Sequence, residues 1–185
     1  MKKIIVCLIV ATILAGCASP AQVGGMIARH IDITKAAANN QTKNGISINN
    51  VSGGNETNPL WVSEVANADF KLALEKSLKD ALLLSSTVEG GKYLLEVTLK
   101  NLEQPLFGLD LKVTATAEYT LKTKVSGRII YSKTFVTPFT ATFSDSAMAI
   151  QRLRIANEGA VRNNIEKVID ELISINVDKN EIEIK

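Results

Sequence analysis

Cys17 is the side chain best placed for covalent chemistry in this sequence. It follows Leu14, Ala15 and Gly16, so small residues leave the bond before it open to a peptidase while the thiol is free to carry an acylated group. Cys7 falls inside the apolar run upstream, which leaves no second thiol to oxidise with Cys17. His30 is the only histidine and sits in a stretch expected to be mobile, which argues against Ser/His/Asp and Cys/His sets. No His or Cys cluster has metal-ligand spacing, and Gly53-Gly54 and Gly90-Gly91 read as turns outside any phosphate-loop context. Carboxylates such as Asp69, Asp110 and Asp145 have no partner in the pattern. No cofactor and no metal is expected, and an enzyme is the lesser reading.

Non-covalent chemistry has three candidate places. Trp61, the only tryptophan, follows Asn58-Pro59-Leu60 and is either an exposed anchor for a partner or a staple of the loop onto the core. Gln104-Pro105-Leu106-Phe107-Gly108-Leu109-Asp110 joins two strands and is apolar where a hairpin tip is usually polar. Phe107 and Leu106 either plug the end of the sheet or stand out as a contact patch that can dip toward lipid. The run Arg152 to Asn164 opens the last helix, and Arg154, Glu158 and Arg162 recur at i, i+4 and i+8. Such a row is a solvated ion-pair ladder, each pair worth ~0.2–0.5 kcal/mol, or a recognition face for an anionic group. The candidate binding surface is therefore Trp61, Phe107, Arg152, Arg154 and Arg162.

These residues need elements to hold them. Lys2 and Lys3 precede twelve apolar or small residues, Ile4 to Ala15, which is too short for a membrane span and has the layout of a signal-peptide core. Residues 1–16 are expected to be removed. Leu14-Ala15-Gly16-Cys17 resembles the lipobox of bacterial lipoproteins, in which the thiol is diacylated and becomes the new N-terminus. Anchoring then comes from the acyl chains, at ~0.8 kcal/mol per buried methylene. Ala18 and Ser19 replace the Asp that favours inner-membrane retention in the enterobacterial lipoproteins this resembles, so the expectation is the outer membrane, facing the periplasm.

Removing the signal leaves 169 residues with 19 basic and 19 acidic side chains, a length suited to one domain plus a tether. A neutral, dispersed charge gives no footprint for nucleic acid. Residues 17–44 are expected to be the lipidated Cys and a flexible tether, because Ala36 to Asn44 is poor in large apolar groups; as a coil it would reach ~30 Å. Residues 45–185 are expected to form the periplasmic domain.

Within it, Gly45 to Val51 alternates like a strand. Asn67 is a candidate N-cap for a helix striped by Phe70, Leu74, Leu78 and Leu82. Tyr93 to Leu99 and Leu109 to Leu121 show period two, with Lys112, Thr114, Thr116, Glu118, Thr120 and Lys122 on a wet face. Ser126-Gly127 turns into Ile129, Tyr131, Lys133, Phe135 and Phe139, and Pro138 argues for an edge strand. A last helix from about Ser146 to Ile173 buries Ile150, Leu153, Val161, Ile165, Val168, Ile169 and Leu172, with Gly159 allowing close packing on the sheet. The order β-α-β-β-β-α predicts an α+β fold: an antiparallel sheet with two helices on one face.

Asn58 to Trp61, Gln104 to Asp110 and Arg152 to Asn164, together with the lipobox, resemble a family of small uncharacterised proteobacterial lipoproteins over roughly residues 45 to 175. Some members carry the label UDP-N-acetylglucosamine acyltransferase. The hexapeptide repeats and catalytic histidine that such acyltransferases use are not in this sequence. The element order is also similar to the outer-membrane lipoproteins YajG and LptE. These resemblances imply a lipid-anchored accessory or binding module for another envelope component, an envelope protein or a glycolipid. The alternatives are an enzyme acting on an envelope sugar or acyl substrate, and a lipid or lipopolysaccharide carrier.

Overall fold

The computed structural model of the chain describes residues 18–38, 41–58, 62–87 and 90–177. The signal segment, Cys17, Trp61 and the charged tail beyond residue 177 lie outside the described residues. In chain order the elements are α1 (Val23–Met26), α2 (Ile33–Ala38), β1 (Ile46–Ser52), α3 (Asn67–Asp80), β2 (Tyr93–Glu103), β3 (Leu111–Thr123), β4 (Ile129–Ala141) and α4 (Ala149–Ser174). The four strands form one open sheet in the order β1-β2-β3-β4, so the class is α+β. Among the described residues no helix is long and apolar enough to cross a membrane.

Strands β2, β3 and β4 form the antiparallel meander that alternation dictates, with Leu95 opposite Leu121 and Val113 opposite Phe139. Strand β1 departs from the expected pattern by pairing with β2 in parallel, Ile48 opposite Leu95. The cause is connectivity: α3 carries the chain back along the sheet, and a crossover of this kind returns the next strand in the same direction. Bulges interrupt all three registers. At the start of β4, Tyr131 faces Leu121 while Ile129 faces Lys122, which inserts Ile130 and turns it inward. Ile130 is buried and Ile129 exposed, the reverse of simple alternation.

One face of the sheet is covered. Val97, Val113, Ala115, Ala117, Tyr119 and Leu121 point to the helices and are fully buried. Helix α4 lies on β3 and β4 through Ala156, Ala160, Val161, Ile165, Val168 and Leu172. A Cβ on Gly159 would overlap the ring of Phe139, so the missing side chain is what lets helix and strand touch. Buried Asn164 stitches the two layers: its Nδ2 donates to the carbonyls of Ala115 (3.2 Å) and Phe135 (3.1 Å) and to Thr137 Oγ1 (2.9 Å). Helix α3 buries Phe70, Ala73, Leu74 and Leu78 as its stripe predicts. Its start is different from the expectation, since Ala66 takes the N-cap and the Asn67 Oδ1 accepts from the Gly54 N–H at 2.7 Å. Its stripe also stops short of Leu82, which sits past the helix with φ 57° while Leu83 takes the buried place.

The largest difference concerns residues 18–44, expected to be a free tether. The described part of this segment runs along α4, from its first turns to its last. Arg154 Nη1 donates to Ser19 Oγ (3.4 Å), Gln22 N–H to Glu158 Oε1 (2.8 Å), Arg162 Nη1 to the Gly25 carbonyl (2.8 Å) and Arg29 N–H to Glu166 Oε1 (2.8 Å). Near the end, Thr42 Oγ1 donates to the Leu172 carbonyl at 3.0 Å. Met26 is fully buried, and Ala21, Ala28 and Ala36 are buried beside it. Low hydrophobicity alone suggested disorder. The segment orders because the side chains spaced every four residues on α4 supply partners for its backbone, and small residues allow close approach.

Candidate functional site

The strand directions bring three connections to one end of the molecule. They are the loop 104–110 between β2 and β3, the turn 142–148 between β4 and α4, and the segment before α3. The β3–β4 hairpin lies at the opposite end, with fully exposed Val125 beside Lys124 and Ser126.

The 104–110 loop is anchored at its base and bare at its tip. Gln104 Nε2 donates to the Ser63 carbonyl (2.9 Å) and to Asn157 Oδ1 (3.0 Å), and buried Asn157 Nδ2 donates to the same carbonyl at 2.8 Å. Gly108 has φ 151°, and a Cβ there would meet the Asp110 carbonyl oxygen at 2.8 Å, so the bend requires glycine. Beyond the base, Leu106 is 97% exposed, Phe107 87% and Leu109 73%. The tip is exposed and does not fold back over the end of the sheet, and Leu109 belongs to the tip rather than to the buried face of β3. Phe143 and Met148 in the neighbouring turn are also exposed. Between loop and helix lies a shallow hollow of about 400 Å³ lined by Pro105, Leu106, Phe107, Leu111, Ile150 and Leu153.

The arginines do not join Phe107 as a surface. Arg152 is buried; its Nη1 donates to the carbonyls of Ser146 (2.6 Å) and Ala147 (2.9 Å), and its guanidinium lies over the Phe143 ring. Arg154 is spent on Ser19 and on Glu158 Oε1 at 3.5 Å, and Arg162 on Gly25 and the Phe139 ring. The expected solvated ladder is instead covered by the N-terminal segment. Burial raises the Glu158 pKa, opposed by the Gln22 N–H and the nearby guanidiniums. Burial and the charge of Arg29 lower that of Arg162.

His30 also differs from its expected setting on a mobile segment. Its N–H and that of Arg29 are held by Glu166, and its exposed ring brings Nδ1 to 3.3 Å from the same carboxylate. The hydroxyl in that groove, Thr137, donates to the Ala160 carbonyl at 2.9 Å and is committed there. No group of three metal-binding side chains occurs among the described residues.

No family model matches the chain, and no curated protein sequence aligns with it. Solved structures share its fold. A Xanthomonas campestris protein covered by the DUF330 family model superposes with a TM-score of 0.55 at 11% identity, over 75% of this chain and 88% of that one. A candidate lipoprotein from Caulobacter crescentus superposes at 0.51 with 13% identity, over 76% of this chain and 93% of its own. The likeness is one of fold: an open sheet with helices on one face, distinct from the hexapeptide β-helix.

Phe143 and Met148 complete this end of the molecule and are not singled out by the sequence, nor are the contacts that Asp110 and Ser19 make here. Phe143 gave a signal, an aromatic followed by the polar run Ser144-Asp145-Ser146. Ser19 gave none, since its role depends on Arg154 far along the chain.

Proposed function

We propose that this chain is a lipoprotein of the bacterial cell envelope, fixed through Cys17 to the periplasmic face of the outer membrane. In this reading it is a non-catalytic accessory module for another envelope component, a protein or a glycolipid. One observation carries it: an ordered domain with a filled core presents a bare apolar tip at the end where residue 18, next to Cys17, is seated. Soluble monomers rarely expose such patches without a use for them. The lipobox supports the anchor.

Labelled palmitate should enter the wild-type chain and not Cys17→Ser, and density separation should place the protein with the outer membrane. A photo-crosslinker at Thr116, on the open face of the sheet, should capture a discrete envelope protein or glycolipid in intact cells. Turnover of an envelope sugar or acyl substrate by the purified protein would replace the accessory role with an enzymatic one.

A further inference from the structure

We infer that the apolar tip formed by Leu106, Phe107, Leu109, Phe143 and Met148 is a second membrane contact, which inserts into the lipid surface and stands the domain on the bilayer with the β3–β4 hairpin pointing away. This rests on the lipid anchor at Cys17.

Geometry selects the occupant. Ser19 is bonded to Arg154 in the second turn of α4, and buried Ala18 is the only residue between Ser19 and Cys17. Two residues span at most ~7 Å, so the chain can carry Cys17 no farther than that from Ser19. One turn earlier on that helix, Ile150 lines the hollow beneath Leu106 and Phe107, and a helical turn rises only ~5.4 Å. The lipid attachment and the apolar tip are therefore at the same end, and a bilayer holding one meets the other. A long tether would have broken this link by letting the domain turn freely. Residues 18–38 are instead fastened along α4.

The tip also has the build of an interfacial wedge. Three large apolar side chains project from a base fixed by Gln104, Asn157 and Ser63, so few of their neighbours need reordering on insertion. The nearby Asp110 carboxylate accepts from the Phe143 N–H at 3.1 Å, and that of Asp145 from the Thr142 N–H at 2.7 Å, so both charges are engaged by backbone donors at the base of the turn. Apolar groups set a few ångströms into the headgroup region, beside covalent acyl chains, match how peripheral proteins combine two weak membrane signals.

The test uses the full lipidated chain with Trp61→Phe, carrying a tryptophan at Phe107→Trp or, as a second variant, Leu106→Trp. A matching chain carries Val125→Trp at the opposite end. Each is reconstituted in phosphatidylethanolamine–phosphatidylglycerol vesicles containing brominated phosphatidylcholine, and palmitate incorporation is measured on the same samples. Emission at 107 and 106 should be lost to the brominated lipid while emission at 125 is kept. Three outcomes overturn the inference with the anchor intact. Unquenched, red emission at 107 means the tip stays in water. Unquenched but blue-shifted emission means a second copy of the chain covers it. Equal quenching at 107 and 125 means the domain has no fixed orientation. Absence of palmitate overturns the anchor, and the inference with it.

Discussion

Asp110 and Phe143 are joined across 33 residues of sequence: the carboxylate Oδ1 of one accepts from the backbone N–H of the other at 3.1 Å. The bond ties the β2–β3 loop to the turn that starts α4, so two exposed apolar segments share one position. Both groups are exposed, and such a bond is worth about 1 kcal/mol or less. Asp110→Ala should therefore barely lower the melting temperature while speeding amide exchange at Phe143. Unchanged exchange would show that the segments stay together without this carboxylate.

The N-terminal segment makes the boundary at residue 45 a poor place to cut. A chain starting at Gly45 loses the contacts of fully buried Met26 and of Ala21, Ala28 and Ala36, and bares the flank of α4. Met26 alone represents ~1.5–3 kcal/mol of burial. Urea denaturation should give a lower midpoint for this chain than for one starting at Ala18. Equal midpoints would return the segment to the role of a tether.

Gly159→Ala places a methyl group into the Phe139 ring. Overpacking of this kind costs ~1–3 kcal/mol, although alanine is the better helix former. Thermal unfolding should show the loss, and Phe139→Ala in the same chain should make the glycine replacement much cheaper. Additive effects of the two changes would mean that helix and strand do not meet there.

Glu158 predicts a pH dependence. Burial holds its carboxyl above the usual value of 4.5, despite the Gln22 N–H and the guanidiniums. The folded protein thus keeps a proton that the unfolded chain has released, and stability falls as the pH rises from that value through the raised one. Glu158→Gln retains an acceptor for Gln22 and should flatten this slope. Denaturation midpoints measured across the interval check it; an unchanged slope assigns the dependence to another group.

The elements readable in the sequence are those whose partners are apolar and periodic. Leu111 to Leu121 alternates without fault, and Phe70, Leu74 and Leu78 keep a helical stripe. Local departures escaped because they come from tertiary fit. Ile130 replaces Ile129 in the core through a bulge that alternation does not announce, and β1 is parallel because of the path of α3. The N-terminal segment was illegible for another reason: what it contributes is mostly backbone, and its partners, Arg154, Glu158, Arg162 and Glu166, carry a spacing equally suited to water. Of the candidate site, Phe107 was readable as an apolar residue where polarity is expected, while the fate of the arginines depended on that unseen cover.

The seat of residues 19–42 has a consequence for the order of events during synthesis. Its partners on α4 are about 130 residues downstream, from Arg154 to Leu172, so these contacts are among the most non-local in the chain and close late. A chain made from its N-terminus folds what has already emerged, and until α4 exists this stretch has only partners in and around α3, such as Glu64 and Ser77, to bind. Residues 19–42 thus reach their final seat only after the last helix of the chain has formed.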